Sequence, residues 1–127
     1  MNRLALIMVA LLAAAAATAA DEEWVLARII DTSIKRVPVH TVAPKYPRKA
    51  RRDRVEGKVR VCFEVDRQGR PRRVGVRHSS ARTFERPSIK AVRASTFKPL
   101  GENEPLLAIK SCRTFIFALE PSEPLKP

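Results

Sequence analysis

The stretch from Val55 to Gly69, Val-Glu-Gly-Lys-Val-Arg-Val-Cys-Phe-Glu-Val-Asp-Arg-Gln-Gly, constrains the fold more than any other part of the chain. From Gly57 onward, Val59, Val61, Phe63 and Val65 alternate with Lys58, Arg60, Cys62 and Glu64. A period of two marks a strand with one face in a core and the other toward solvent. Asp66 to Gly69 then turns the chain, Gly69 suiting a left-handed position. In a second alternating run, Arg72, Val74, Val76 and His78 oppose Arg73, Gly75 and Arg77. The pattern predicts an antiparallel hairpin with one apolar and one charged face.

The first twenty residues read as a segment apart. Leu4 to Ala17 is a nearly unbroken apolar run behind Arg3, short and alanine-rich for a membrane span. Ala17-Thr18-Ala19 and Thr18-Ala19-Ala20 offer the small residues a signal peptidase needs, just before Asp21-Glu22-Glu23. Residues 1–20 are therefore expected to be a cleaved secretory signal that carries the protein out of the cytoplasm. The alternative is an uncleaved anchor. Cleavage leaves about 107 residues, one domain with a modest core.

Charge narrows the partners. The sequence carries 25 Lys and Arg against 13 Asp and Glu, and Lys45 to Lys98 alone holds 18 basic and 5 acidic residues, a local balance of +13. Anionic or acidic partners follow. Nucleic acid is not expected, because an exported chain meets little of it and no aromatic interleaving, zinc-ligand spacing or recognition-helix pattern is present. Acidic protein segments, cell wall and lipid head groups are left, beside the plain reading of a solvated basic face.

Residues 21–43 read as an N-terminal extension or linker. Trp24, Val25, Leu26, Ile29, Ile30, Ile34 and Val37 leave open whether it is a short helix or an extended segment. Pro38, Pro44 and Tyr46-Pro47 indicate an extended connector, with Pro47 suited to start a helix over Arg48 to Arg54. Beyond the hairpin, Thr83 is a candidate cap for a helix from about Phe84 to Ser95, with Phe84, Ser88, Ala91, Val92 and Ser95 on its apolar stripe. Ile109 to Leu119 reads as the last strand. The tail, residues 121–127, has three prolines in seven residues and is expected to be disordered. The domain therefore spans 44–120 as helix, strand, strand, helix, strand. The right-handed crossover rule places the third strand beside the first. The expected fold is α+β: a three-stranded antiparallel sheet in order 2-1-3, two helices on one face, and the last strand an open edge.

Cys62 and Cys112 in an exported chain are expected to pair as a disulfide. In the order 2-1-3 their strands are neighbours and both side chains point away from the helices. The alternative is two unrelated half-exposed thiols. No metal site is expected, since only His40 and His78 add ligands and neither has ligand spacing. No nucleophile with a base, paired carboxylates or phosphate loop stands at a telling spacing, so neither an enzyme nor a cofactor is expected. His78-Ser79-Ser80 comes nearest, but adjacent strand residues point to opposite sides.

The chain resembles the C-terminal domain of the TonB family of periplasmic energy transducers. The resemblance runs from Pro44 to about Leu119 and is carried by Pro44, Tyr46-Pro47, Ala50, Glu56-Gly57, Val59, Val61, Phe63, Val65-Asp66, Gly69, Val76, Ser79-Ser80, Phe84, Ala91-Val92, Phe97 and Pro99. It implies function by strand addition, a short peptide of an outer-membrane TonB-dependent transporter or other envelope protein pairing with the edge of the last strand. Carried onto this chain, that edge is Arg113, Thr114, Phe115, Ile116 and Phe117, with Tyr46 and Pro47 beside the captured peptide; the alternative for Tyr46 is a packing residue that pins the entry segment to the sheet. The backbone of Phe115 and Phe117 would bind while their rings pack in the core. Arg113 and the basic helix face would attract acidic residues of the peptide.

Two departures from the family are visible. Asp21 to Ala43 supplies only 23 residues of spacer, about 80 Å fully extended. Ser95 stands where the family usually carries a tryptophan. The resemblance implies a soluble binding module in the periplasm; a short-spacer transducer anchored in the inner membrane and facing the periplasm, and a basic-patch binder of cell wall or lipid surfaces, are the other readings. An exposed last-strand edge would also permit an edge-to-edge homodimer.

Overall fold

A computed structural model describes residues 28–119; the signal segment and the terminal tail lie outside the described residues. The elements are β1 (Arg28–Thr32), β2 (Pro38–His40), α1 (Arg48–Arg52), β3 (Gly57–Val65), β4 (Pro71–Ser79), a 3-10 turn (Arg82–Phe84), α2 (Glu85–Ala94), β5 (Thr96–Phe97) and β6 (Ser111–Phe117).

The hairpin β3–β4 forms where the alternation places it, but β4 does not alternate strictly. Its register against β3 shifts between Arg60 and Val61 and again between Cys62 and Glu64. Each shift adds one residue to β4, and Arg73 takes a left-handed φ of 53° in the second irregularity. Val74 and Val76, between the two shifts, both stay against the core, while Arg72 and His78 move to the face of Glu64 and Arg60 that they pair with. Asp66 closes the turn: its Oδ1 accepts from the Arg70 N–H at 2.9 Å and its Oδ2 from Arg72 Nε at 2.8 Å. Gly69 is required twice over. Its φ is +88°, and a Cβ there would lie 1.9 Å from the Phe97 carbonyl oxygen. That close approach lets the Phe97 N–H donate to the Gly69 carbonyl at 2.8 Å, fixing the turn to the chain after α2.

Both helices cover one face of the sheet. Ala50 of α1 and Ala91 and Val92 of α2 join Val59, Val61, Phe63, Val65, Phe84, Phe97, Phe115 and Phe117 in one core cluster. Helix α2 has no side-chain cap; Phe84, at the end of the 3-10 turn, takes the position before it instead of Thr83. Its C-terminal end explains the serine at position 95. Ser95 is buried, donates to the Ala91 carbonyl at 2.8 Å and accepts from the Val42 N–H at 3.1 Å. A small hydroxyl thereby lets the extended connector lie against the helix end.

The main sheet has four strands, in order β1-β6-β3-β4, and not three. The core order 2-1-3 is present as β4-β3-β6, but the expected open edge of the last strand is covered by β1, antiparallel to β6. Residues 28–43, expected to be a linker, thus contribute β1 and also β2, which pairs with β5 in a second, two-stranded sheet. Residues 28–32 are extended, which decides the helix-or-strand question for that stretch.

Cys62 and Cys112 stand directly opposite each other on β3 and β6 and form the expected disulfide, 50 residues apart in sequence. Their Cα atoms are 4.1 Å apart, the close spacing of a pair that exchanges no backbone hydrogen bonds. Cys112, Thr114 and Ile116 therefore turn their N–H and C=O groups away from β3, toward β1.

Two outcomes are expected. Replacing both cysteines by serine (Cys62→Ser, Cys112→Ser) should cost about 4 kcal/mol in urea denaturation on the chain-entropy model, and a loss under about 1 kcal/mol would contradict that role. The Asp66 carboxyl is pushed up by burial, but hydrogen bonds from the Arg70 N–H, Arg72 and the Gln68 N–H, with the Arg72 charge, outweigh this and hold it below the ordinary 3.8. A depressed folded value means the stabilisation is present above pH 3.8 and fades as pH falls through the folded value. Acid unfolding of Asp66→Asn should lack that component, and superimposable pH–stability curves would refute it.

Candidate functional site

Strand β6 is the element on which the expected binding residues lie, and its alternation sorts them. Ser111, Arg113, Phe115 and Phe117 are buried. Thr114 and Ile116, on the opposite face with Cys112, are half-buried. Phe115 and Phe117 are core side chains as expected, at 0% and 1% exposure, but their backbone N–H and C=O groups face β3, so the groups turned to the edge are those of Cys112, Thr114 and Ile116 instead. Phe117 stacks on Phe84 with ring centroids 4.2 Å apart.

Tyr46 packs edge-on against Phe84 at 5.4 Å and Phe117 at 5.5 Å, and its hydroxyl donates to the Val55 carbonyl. Burial, followed by the nearby Glu56 carboxylate, raises its pKa above 10.0, so the hydroxyl stays a donor. Pro47 is the residue before α1, extended at φ −59°, ψ 135°. The structure thus brings Tyr46 to the end of β6 that carries Phe117, where it packs between Phe84 and Phe117, and Pro47 follows it into α1.

Arg113 is the correction. Expected as a surface cation, its side chain is 1% exposed and points under the helices. Its Nε and Nη2 donate to the Asp31 carboxylate at 2.6 and 3.0 Å, a two-pronged pair between directly opposed residues of β6 and β1. The guanidinium carbon lies 5.7 Å from the centroid of the Phe97 ring. Its Nη1 is the one buried side-chain polar atom without a hydrogen-bond partner among the described residues.

Strand β1 thus occupies the backbone positions where a peptide was expected. Thr32, Ile30 and Arg28 pair with Cys112, Thr114 and Ile116, while Ile29 lies opposite Phe115 and packs on the core. Past the left-handed Ser33 (φ 61°), Arg36 secures the returning chain: Nη1 donates to the Val65 carbonyl at 3.2 Å and Nη2 to the Lys98 carbonyl at 3.0 Å. Lys98 N–H donates back to the Val37 carbonyl at 2.7 Å. Neither β1 nor Asp31 was identified from the sequence. The available signal was Ile29-Ile30, a β-branched pair, followed by an acid two residues from the first. Among the described residues no group of acids, histidines and cysteines could hold a metal, and no helix is long and apolar enough to cross a membrane.

Removing one partner of a buried ion pair strands the other charge. Asp31→Ala should therefore destabilise by about 1–3 kcal/mol, below the range for fully buried pairs because Asp31 is 35% exposed. Arg113→Met, which removes the charge and keeps the volume, should cost less than Asp31→Ala in the same denaturation experiment. The reverse order would show that the pair does not govern the stability of this edge.

The solution structure of the TonB C-terminal domain of Pseudomonas aeruginosa is similar to this one, with a TM-score of 0.57 and 28% identity over 68% of this chain and 88% of that one. Among curated proteins none matches the chain. Residues 42–119, more than half of the sequence, match the family described as the C-terminal region of the Gram-negative bacterial TonB protein. The chain belongs to the TonB C-terminal domain family.

Proposed function

We propose that the protein is a non-enzymatic interaction module of TonB-type transport, located in the periplasm. It captures an extended segment of an outer-membrane transporter or another envelope protein by strand addition to β6 along Arg113 to Phe117, where Thr114 and Ile116 turn their backbone groups outward. One observation carries the proposal: a five-residue strand already occupies that edge in full antiparallel register, so the geometry of β6 supports strand addition. The incoming segment takes the place of β1. The segment it displaces is short, exposed along most of its length and joined to the rest of the sheet only through β6.

The other features agree with this reading. A buried disulfide suits an oxidising compartment. The basic residues of α1 and α2 provide a field that draws acidic segments toward the edge and quickens their encounter, an effect that salt weakens.

Proline placement separates exchange at β6 from addition outside β1. Ile30→Pro removes the N–H that β1 turns toward Thr114 and loosens the resident strand. The expected result is binding of a transporter N-terminal peptide about tenfold tighter than to the unaltered protein, equivalent to ~1.4 kcal/mol less competition. Thr114→Pro should abolish binding. Weaker binding after Ile30→Pro would instead locate the partner on the outer edge of β1.

A further inference from the structure

Arg113 makes an unusual demand on whatever pairs with β6. A guanidinium keeps its charge at any physiological pH, so it cannot escape burial by losing a proton. At 1% exposure it has Asp31 as its one ion-pair partner among the described residues, and that partner belongs to the strand an incoming segment must displace. The Phe97 ring offers attraction but no counter-charge. When β1 leaves, both hydrogen bonds to the guanidinium go with it, and Nη1 already lacks one.

We infer that Arg113 makes the β6 edge selective for a strand that carries an aspartate or glutamate in the position facing it, as Asp31 does. The inference rests on the strand-addition reading and goes further by naming what the added strand must contain. Arg113 lies at a close pair that exchanges no backbone hydrogen bonds with β1, since Cys112 and Thr114 on either side supply those bonds. At such positions facing side chains approach most closely, which is what a two-pronged carboxylate contact needs. Two residues before Asp31, Ile29 faces Phe115 and packs on the core. The fitting partner is thus an extended segment reading apolar, any residue, acidic, in the direction of β1. A neutral residue in the acidic position leaves a buried, uncompensated cation. The selectivity therefore acts by rejecting wrong segments as much as by holding right ones.

The test uses the full chain carrying Asp31→Asn, whose resident strand no longer supplies a carboxylate. Two blocked synthetic peptides spanning positions 26–32 of the chain, one with the native Asp31 and one with Asn in its place, are titrated against it by NMR, following the amides of β6. The acidic peptide should bind at least roughly 30-fold more tightly than its amide counterpart, the lower end for loss of one partner from a buried hydrogen-bonded charge pair. Adding Arg113→Met should bring the two peptides to within about threefold of each other with binding retained. The Ile30→Pro chain provides a second background in which the same preference is expected. Equal binding of the two peptides in both backgrounds overturns the carboxylate requirement and leaves strand addition standing. Binding of neither peptide in either background overturns both.

Discussion

The pairing of β3 with β6, fixed in register by Cys62 and Cys112, sets everything that happens at the edge of this sheet. Side chains on a strand alternate, so a slip of one residue would send Phe115 and Phe117 to solvent and bring Thr114 and Ile116 under the helices. The covalent link forbids the slip. It also determines which backbone groups of β6 face outward, because a close pair at Cys112 directs the hydrogen-bonding groups of Cys112, Thr114 and Ile116 away from β3. Core packing on one face and a usable edge on the other side of the same strand thus follow from one constraint. Arg113 is carried into the interior by the same alternation.

The central part of this arrangement was legible because it is written in local patterns. The valines of β3 and the Asp66–Gly69 turn declare their elements within a few residues, and the cysteine pairing follows from strand order. The edge was not legible, for two physical reasons. Strand β1 is five residues long with burial on one side chain in part only, so it has no alternation strong enough to separate it from a short helix. Its pairing also depends on contacts more than 80 residues away in sequence, as the Asp31–Arg113 separation of 82 shows. Arg113 read as a surface residue because arginine almost never enters a core alone; its counter-ion was hidden in a segment that looked like a spacer. Thr83 failed as a cap for a simpler reason, since a 3-10 turn precedes α2 and shifts the start of the helix past it.

Charge acts at two ranges in this protein. The many exposed arginines and lysines form a diffuse field that salt screens. Arg113, the one buried arginine among the described residues, is shielded from salt and has a fixed geometry, so in the proposed strand addition it is the group that would discriminate between ligands. The family match covers residues 42–119, which takes in both helices, β3, β4, β6 and Arg113, whereas β1 and Asp31 lie before it.

The Arg36 clamp has a consequence for timing. Because Arg36 holds the chain to the Val65 and Lys98 carbonyls just past Ser33, a β1 displaced in the proposed exchange would stay close to its groove. A strand tethered by so few residues returns by an intramolecular step, at an effective concentration on the order of millimolar. Any captured segment is then opposed continuously by a competitor that cannot diffuse away or be diluted. Under the proposed exchange, release would need no further component, and occupancy would track the abundance of partner rather than the history of past encounters.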